Sequence, residues 1–318
     1  MIQFFRSGRP QSLILLPVLA MILYIGGMLT HATASPSGGP LYQLLMLISG
    51  GFDWVQMVFA VTLITLGAIL LNKVATDHLF DARNTFLPGL MYVLLSSSLA
   101  PFVHLSPTQP ANLLMILALD KILSFNRKGN IYPLVLDAGM LVGVAALFYP
   151  SYIIFLLTVW IGLNHFRPFA WREWLIVWIG CAIPIAIIWV FYFATELSFH
   201  AWHLPGKSEK LRVPMSTSWL LWSITAILAV WAMINTLLQY PKRNLRSKKN
   251  ITLLLLMLCN AVILIASQWE PQILYTSALM LGILFANFIS NVKPVYAQLV
   301  LLILLSALIQ NQLIFLLN

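Results

Sequence analysis

Two histidines and three cations lie close together in one polar stretch of the chain. The histidines are three residues apart, and the cations fall within the next nine positions: His200, His203, Lys207, Lys210 and Arg212. An arginine holds a phosphate through two parallel hydrogen bonds, whereas a lysine acts as a point charge. A carboxylate within reach could serve as a base, and Asp53 is the candidate for that role. The combination suggests a site for an anionic headgroup, such as the phosphate of a polyprenyl carrier.

A plainer interpretation of the same stretch stays open. The segment 195–216 also contains Glu196 and Glu209, so it could be a solvated loop whose charges offset one another. No metal site is expected, because only His200 and His203 have the spacing of ligands. The chain contains no recognised catalytic or nucleotide-binding string, and we expect no cofactor.

The composition places these residues on a membrane protein. Hydrophobic residues make up 60% of the chain and charged residues 8%, with a mean hydropathy of +0.90. Soluble domains carry about 25% charged residues, so a soluble protein is excluded. The apolar runs are longer than the roughly 10-residue segments of a membrane barrel. The sequence therefore predicts an all-α, polytopic transmembrane helical bundle, with residues 1–318 in a single transmembrane domain.

Eleven apolar stretches are predicted to span the membrane. They are Ser12–Leu29, Trp54–Leu71, Phe86–Val103, Pro110–Ile122, Ile131–Tyr149, Tyr152–His165, Trp174–Phe193, Trp219–Gln239, Ile251–Ser267, Gln272–Ile289 and Val295–Leu317. The first is longer than the apolar part of a signal peptide, so we favour an uncleaved span. The stretch Leu41–Ser49 is too short to cross, and we expect it at the outer interface or as a re-entrant segment.

The distribution of positive charge predicts the orientation. With the amino terminus in the cytoplasm, fifteen of the 18 lysines and arginines lie on the cytoplasmic side. The three on the outer side are Lys207, Lys210 and Arg212, which makes 195–216 an outer interfacial loop. This asymmetry follows the positive-inside rule and places the carboxyl terminus outside. The net charge of +9 then encodes topology and does not indicate a nucleic-acid partner.

Asp137 is a second candidate for chemistry, on the first arm of a predicted helical hairpin that turns at Tyr149-Pro150-Ser151. At about 1.5 Å per residue it lies roughly 10 Å inside the membrane edge. A carboxylate at that depth faces the bundle interior or a wet cavity. It could serve a proton or ion pathway, or it could hydrogen-bond to Asn112 or to hydroxyls of Ser96–Ser98.

The same arm carries Gly139 and Gly143, whose spacing lets another helix approach closely. We therefore predict that the arm is central in the bundle.

Two groups of charged residues near the cytoplasmic side are assigned no chemistry. Asp120 and Lys121, adjacent in sequence, are expected to neutralise each other. A solvated loop is expected to hold the second group: Asp77, His78, Asp81 and Arg83.

Several short motifs together resemble a family of bacterial inner-membrane proteins defined only as a domain of unknown function. They are Leu87-Pro88, Asp137-Ala138-Gly139, Ala146-Leu147-Phe148-Tyr149-Pro150 and Arg172-Glu173-Trp174 with Gly180 and Pro184. The resemblance covers most of the chain and implies a multi-pass inner-membrane protein without naming catalytic residues. The layout of spans is also faintly similar to polyprenyl-dependent membrane glycosyltransferases. Those enzymes carry an acidic residue, often a pair, in the first outer loop, where this chain has only Asp53.

The sequence thus predicts a protein of the bacterial inner membrane with a role in cell-envelope biogenesis. The expected partners are membrane lipids, a polyprenyl-phosphate carrier or other membrane subunits. Three functions remain open: action on a lipid-linked glycan precursor at the outer leaflet, a non-catalytic subunit of an envelope or secretion assembly, and a small-solute or ion-coupled transporter.

Overall fold

A computed structural model describes residues 5, 11–28, 38–49, 52–79, 85–97, 105–126, 130–167, 169–195, 215–267, 274–292 and 294–317. All regular secondary structure within these ranges is helical, which confirms the predicted all-α class. The α-helices are α1 (Gln11–Met28), α2 (Pro40–Ile48), α3 (Asp53–Val74), α4 (Leu87–Ser96), α5 (Thr108–Leu123), α6 (Tyr132–Phe148), α7 (Leu156–Phe166), α8 (Trp171–Ala194), α9 (Met215–Gln239), α10 (Leu245–Ser267), α11 (Leu274–Asn291) and α12 (Pro294–Leu317).

Four helical stretches in the described ranges are long and apolar enough to cross a membrane. They are Trp54–Leu79, Trp171–Ala194, Leu221–Gln239 and Ser247–Ala266. Shorter apolar helices lie at Ile14–Tyr24, Leu87–Ser96, Tyr132–Phe148, Pro150–Phe166, Tyr275–Asn291 and Val295–Gln310. Each of the eleven predicted spans overlaps one α-helix, and the short stretch before the second span forms α2. The four long apolar helices support the assignment as a membrane protein.

Helix α6 lies at the centre of the bundle, packed along both α5 and α8. Its contact with α8 depends on glycines. A Cβ atom added at Gly139 would lie 2.6 Å from the carbonyl oxygen of Val177, and one added at Gly180 would lie 2.6 Å from that of Leu136. Because only a residue without a side chain fits at these points, the two backbones approach closely. The predicted role of the glycine pair is confirmed, and α8 contributes a glycine in return.

The corner of the hairpin is also as expected. Helix α6 ends at Phe148, a 3₁₀ helix covers Pro150–Phe155, and α7 continues the second arm. The corner residues Tyr149 and Tyr152 are fully buried. Proline suits the first turn of a helix because its missing N–H would have no partner there.

Candidate functional site

The short helix α2 is docked onto one end of the bundle by three hydrogen bonds. The Gly39 N–H donates to the Phe148 carbonyl oxygen at 2.7 Å, at the end of α6. The Tyr42 hydroxyl donates to the Leu105 carbonyl oxygen at 2.7 Å, just before α5. The Tyr192 hydroxyl, near the end of α8, donates to the Pro40 carbonyl oxygen at 3.1 Å. We call this region, defined by the six residues of these bonds, the Tyr42 end.

The local sequence explains the docking. Pro40 begins the helix, and the extended backbone of Gly39 precedes it. A Cβ atom at Gly39 would collide with the Leu147 carbonyl oxygen, so only glycine fits against the end of α6. Burial raises the pKa of the Tyr42 hydroxyl, because the phenolate would lose its hydration. The hydroxyl therefore stays protonated and remains a donor.

Helix α3 brings Asp53 to the same end. The helix begins at Asp53, and its other extremity lies at the opposite end of the bundle, where His78 contacts α5 and α10. The side chain of Asp53 lies outside the described residues, and so do His200, His203, Lys207, Lys210 and Arg212. The expected separation of about 10–12 Å between Asp53 and His200 or Arg212, which a bridging headgroup needs, stays a prediction.

The root of the loop 195–216 is described. Thr195 follows the last residue of α8 and lies three residues after Tyr192. Because Tyr192 bonds to Pro40, the loop leaves the bundle at the end where α2 is docked. The structure thus brings the beginning of the loop 195–216 and the beginning of α3 at Asp53 to one end of the bundle.

An apolar groove of about 500 Å³ runs along α8 towards the Tyr42 end. It is lined by Ile153 and by residues of α8 from Trp178 to Trp189, among them the small side chains of Cys181, Ala182 and Ala186. The distance along the helix between the two tryptophans is about 16 Å. A groove of this length and chemistry suits a hydrocarbon chain.

A buried hydrogen-bond network lies close to the same end. Asn112 accepts a hydrogen bond from the Tyr152 hydroxyl at 2.6 Å and donates one to the Tyr275 carbonyl oxygen at 2.8 Å. All three residues are buried. The network connects α5, the hairpin corner and α11, so it holds these three segments together.

Asp137 lies at the opposite end of the bundle, beside Lys121. We call this end the Asp120 end, after the neighbour of Lys121 in the sequence. One carboxylate oxygen of Asp137 is 2.8 Å from the ammonium nitrogen of Lys121. The two side chains are 44% and 33% exposed, respectively. The expectation that Asp120 and Lys121 neutralise each other is wrong, because Lys121 pairs with Asp137. Asn112, the suggested partner of Asp137, is occupied in the buried network.

His78 also lies at the Asp120 end, in a place that the sequence did not predict. Helix α3 continues into a π-helical turn, Ala75–Leu79, so Asp77 and His78 lie on a helix and not in the expected loop. Asp77 is exposed as expected, and Asp81 and Arg83 lie outside the described residues. The His78 side chain is 4% exposed, and its Nε2 atom is 3.0 Å from a carboxylate oxygen of Asp120. His78 follows Leu71, the last residue of the predicted apolar span, by seven residues. This is about two helical turns, and so short an extension of the helix could not be identified from the sequence.

No protein-family model, curated protein or solved structure matches the chain. Among the described residues, no group of three histidine, cysteine, aspartate or glutamate side chains is placed to hold a metal ion.

Proposed function

We propose that the chain is a multi-pass inner-membrane protein of cell-envelope biogenesis that acts on a polyprenyl-phosphate-linked precursor at the outer leaflet. It spans the membrane eleven times, with the amino terminus in the cytoplasm and the carboxyl terminus outside. The loop 195–216 binds the phosphate through its histidines and cations, and Arg212 makes two parallel hydrogen bonds to it. Asp53 serves as the base.

The hydrogen bond between Tyr192 and Pro40 is the observation that carries this proposal. It joins the helix before the basic loop to the helix before Asp53. Two segments far apart in sequence therefore leave the bundle at one end, as a shared headgroup site requires. Had the loop root and α2 been at opposite ends, Asp53 could not act on a group bound by Arg212.

The groove on α8 supports a lipid as the substrate. It is lined by apolar side chains from Trp178 to Trp189, and Thr195 follows the second tryptophan by six residues. A hydrocarbon chain in the groove would lead its headgroup to the root of the loop. The cations of that loop provide the opposite charge for a phosphate.

The charges of the described helices support the orientation. Lysines and arginines in the described ranges lie at the helix ends that face the Asp120 end, including Lys73, Lys121 and Arg172. The positive-inside rule assigns such an end to the cytoplasm. The Tyr42 end is then the outer one.

Lipid binding tests the function directly. The purified protein in lipid nanodiscs should bind a polyprenyl phosphate, and Arg212→Ala should weaken binding about tenfold, the equivalent of about 1.4 kcal/mol. Arg172→Ala, an exposed cation at the other end, is the matched control and should leave affinity unchanged. Equal affinities for wild type and Arg212→Ala would favour the alternative function, a non-catalytic subunit of an envelope or secretion assembly.

A distance measurement tests the geometry independently of the ligand. With Cys181 and Cys259 replaced by alanine, Asp53→Cys and Arg212→Cys should be joined by a bifunctional thiol reagent that spans about 10–12 Å, the reach of a bridging headgroup. The pair Asp53→Cys and Asn244→Cys, predicted to lie on opposite sides, is the control. Cross-linking of the control pair alone would rule out the shared site.

Thiol labelling tests the orientation. In the same cysteine-free background, Ser37→Cys and Ser208→Cys should react with a membrane-impermeant reagent from outside, and Asn130→Cys and Asn244→Cys should not. Asn244 is exposed and suits this test, whereas the nearby Ser247 is 4% exposed and would not react on either side. Labelling of Asn244→Cys from outside would reverse the proposed topology.

A further inference from the structure

The π-helical turn at the end of α3 holds a histidine that the proposed function does not use. His78 lies in the turn Ala75–Leu79, and π-helical turns occur frequently at functional sites. Its ring is almost completely buried, and Asp120 accepts a hydrogen bond from Nε2 at 3.0 Å. Since a carboxylate oxygen can only accept, Nε2 carries the hydrogen in the neutral imidazole. The other ring nitrogen, Nδ1, then presents a lone pair.

Helix α10 places two more polar groups beside this turn. The Asn250 amide nitrogen donates to the His78 carbonyl oxygen at 2.6 Å, which fixes the amide oxygen of Asn250 as the group left to accept. Ser247 lies three residues earlier on α10, so the two side chains occupy one face of the helix. Both residues are buried, with Asn250 at 0% and Ser247 at 4% exposure.

Three buried polar atoms in this region lack a hydrogen-bond partner among the described residues. They are Nδ1 of His78, Oδ1 of Asn250 and Oγ of Ser247. A buried polar group without a partner costs about 1–3 kcal/mol, so a molecule that bonded to all three atoms would stabilise the fold. Two of the atoms are acceptors, and the hydroxyl can donate.

We propose that these three residues bind one buried water molecule. The water donates its two hydrogens to His78 Nδ1 and Asn250 Oδ1 and accepts the hydroxyl hydrogen of Ser247. Three hydrogen bonds are typical of a buried structural water. An anion would face two lone pairs and be repelled, and a divalent metal would gain no charged ligand directly.

The bound water gives His78 a defined chemical role at the Asp120 end. The carboxylate of Asp120, 40% exposed, holds the imidazole with Nδ1 towards the water. Because Nε2 is bonded to Asp120, the lone pair of Nδ1 is the part of the ring left to accept from the water. This arrangement does not depend on the proposed lipid site at the other end.

A high-resolution structure of the full chain in lipid nanodiscs tests the water directly. An isolated peak at hydrogen-bond distance from His78 Nδ1, Asn250 Oδ1 and Ser247 Oγ is expected. A direct bond from Nδ1 to a protein side chain, or a peak at the 2.0–2.2 Å distances of a metal ion, would overturn the proposal.

The nitrogen resonances of labelled histidine provide a second test. Comparison with His78→Gln, whose amide can replace the Nε2 donor to Asp120, identifies the resonances of His78. The expected spectrum is that of an imidazole protonated at Nε2, with Nδ1 unprotonated and hydrogen-bonded. A hydrogen on Nδ1 instead would contradict the arrangement.

Thermal unfolding tests the third partner. Ser247→Ala should lower the midpoint of unfolding by about 1–2 °C, as expected when one hydrogen bond is lost from a chain of this size. Ser306→Ala, the same change at an exposed position on α12, should leave the midpoint unchanged. Equal midpoints for the two variants would remove the hydroxyl of Ser247 from the site and overturn the three-partner water.

Discussion

At the Tyr42 end the helices are connected through buried uncharged groups, whereas at the Asp120 end α5 and α6 are connected by a pair of charged side chains. Tyr42 and Tyr192 donate to backbone carbonyl oxygens, and Asn112 bonds to a buried hydroxyl. At the other end Asp137 pairs with Lys121. Burying an uncharged hydrogen bond costs little free energy when both partners are satisfied. Burying a charged pair costs much more, because both charges lose their hydration. The difference explains why the first set is buried and the second is half-exposed.

The comparison indicates which of these two sets of contacts stabilises the fold more. A buried bond is costly to break because the remaining partner has no water to replace it. A half-exposed pair is weak because solvent screens it and because each partner can turn to water. We therefore expect substitutions at the Tyr42 end to cost more than substitutions of the Asp137 pair.

The largest effect is expected at Asn112. Asn112→Leu removes two buried hydrogen bonds and leaves the Tyr152 hydroxyl without its acceptor, so the free energy of unfolding should fall by about 2–3 kcal/mol. The measurement is unfolding in lipid nanodiscs, followed by tryptophan fluorescence. Asn235→Leu, which changes a half-buried asparagine on α9, should stay within about 0.5 kcal/mol of wild type. A similar loss in both variants would mean that the network has no special weight.

A smaller effect is expected for Tyr42. Tyr42→Phe removes only the bond to the Leu105 carbonyl oxygen, so the free energy of unfolding should fall by about 1 kcal/mol. Hydrogen exchange of the α2 backbone amides should become faster, because the helix loses one of its attachments. Tyr132→Phe, at an exposed tyrosine, is the control. Unchanged exchange in α2 would show that the other two bonds suffice to dock it.

The sequence predicted features that depend on local spacing. Gly139 and Gly143 lie four residues apart and therefore share a face of α6, so a close helix contact followed without any knowledge of the partner. The identity of that partner, α8 with its Gly180, did not follow. It depends on how the chain folds back over tens of residues.

The prediction failed where the partner of a side chain is distant in sequence. Asp77 and His78 interrupt an apolar run, and such residues are typical of a loop. The helix continues because Asp120 and Asn250, 42 and 172 residues from His78, supply hydrogen bonds there. The same limit applies to Asp53 and the loop 195–216, whose residue types suggest a chemistry but whose juxtaposition local patterns cannot determine.

The smallest effect is expected for the ion pair at the Asp120 end. A double-mutant cycle of Lys121→Met and Asp137→Leu should give a coupling of about 0–1 kcal/mol in the free energy of unfolding. High salt should reduce that coupling further, because both side chains are partly open to solvent. Asp137→Asn should likewise fold normally and support the function of the protein in cells as well as wild type does. A coupling of several kcal/mol would place the pair in a drier environment than its exposure indicates. A folded Asp137→Asn variant that no longer supports this function would instead favour a proton or ion pathway through this carboxylate.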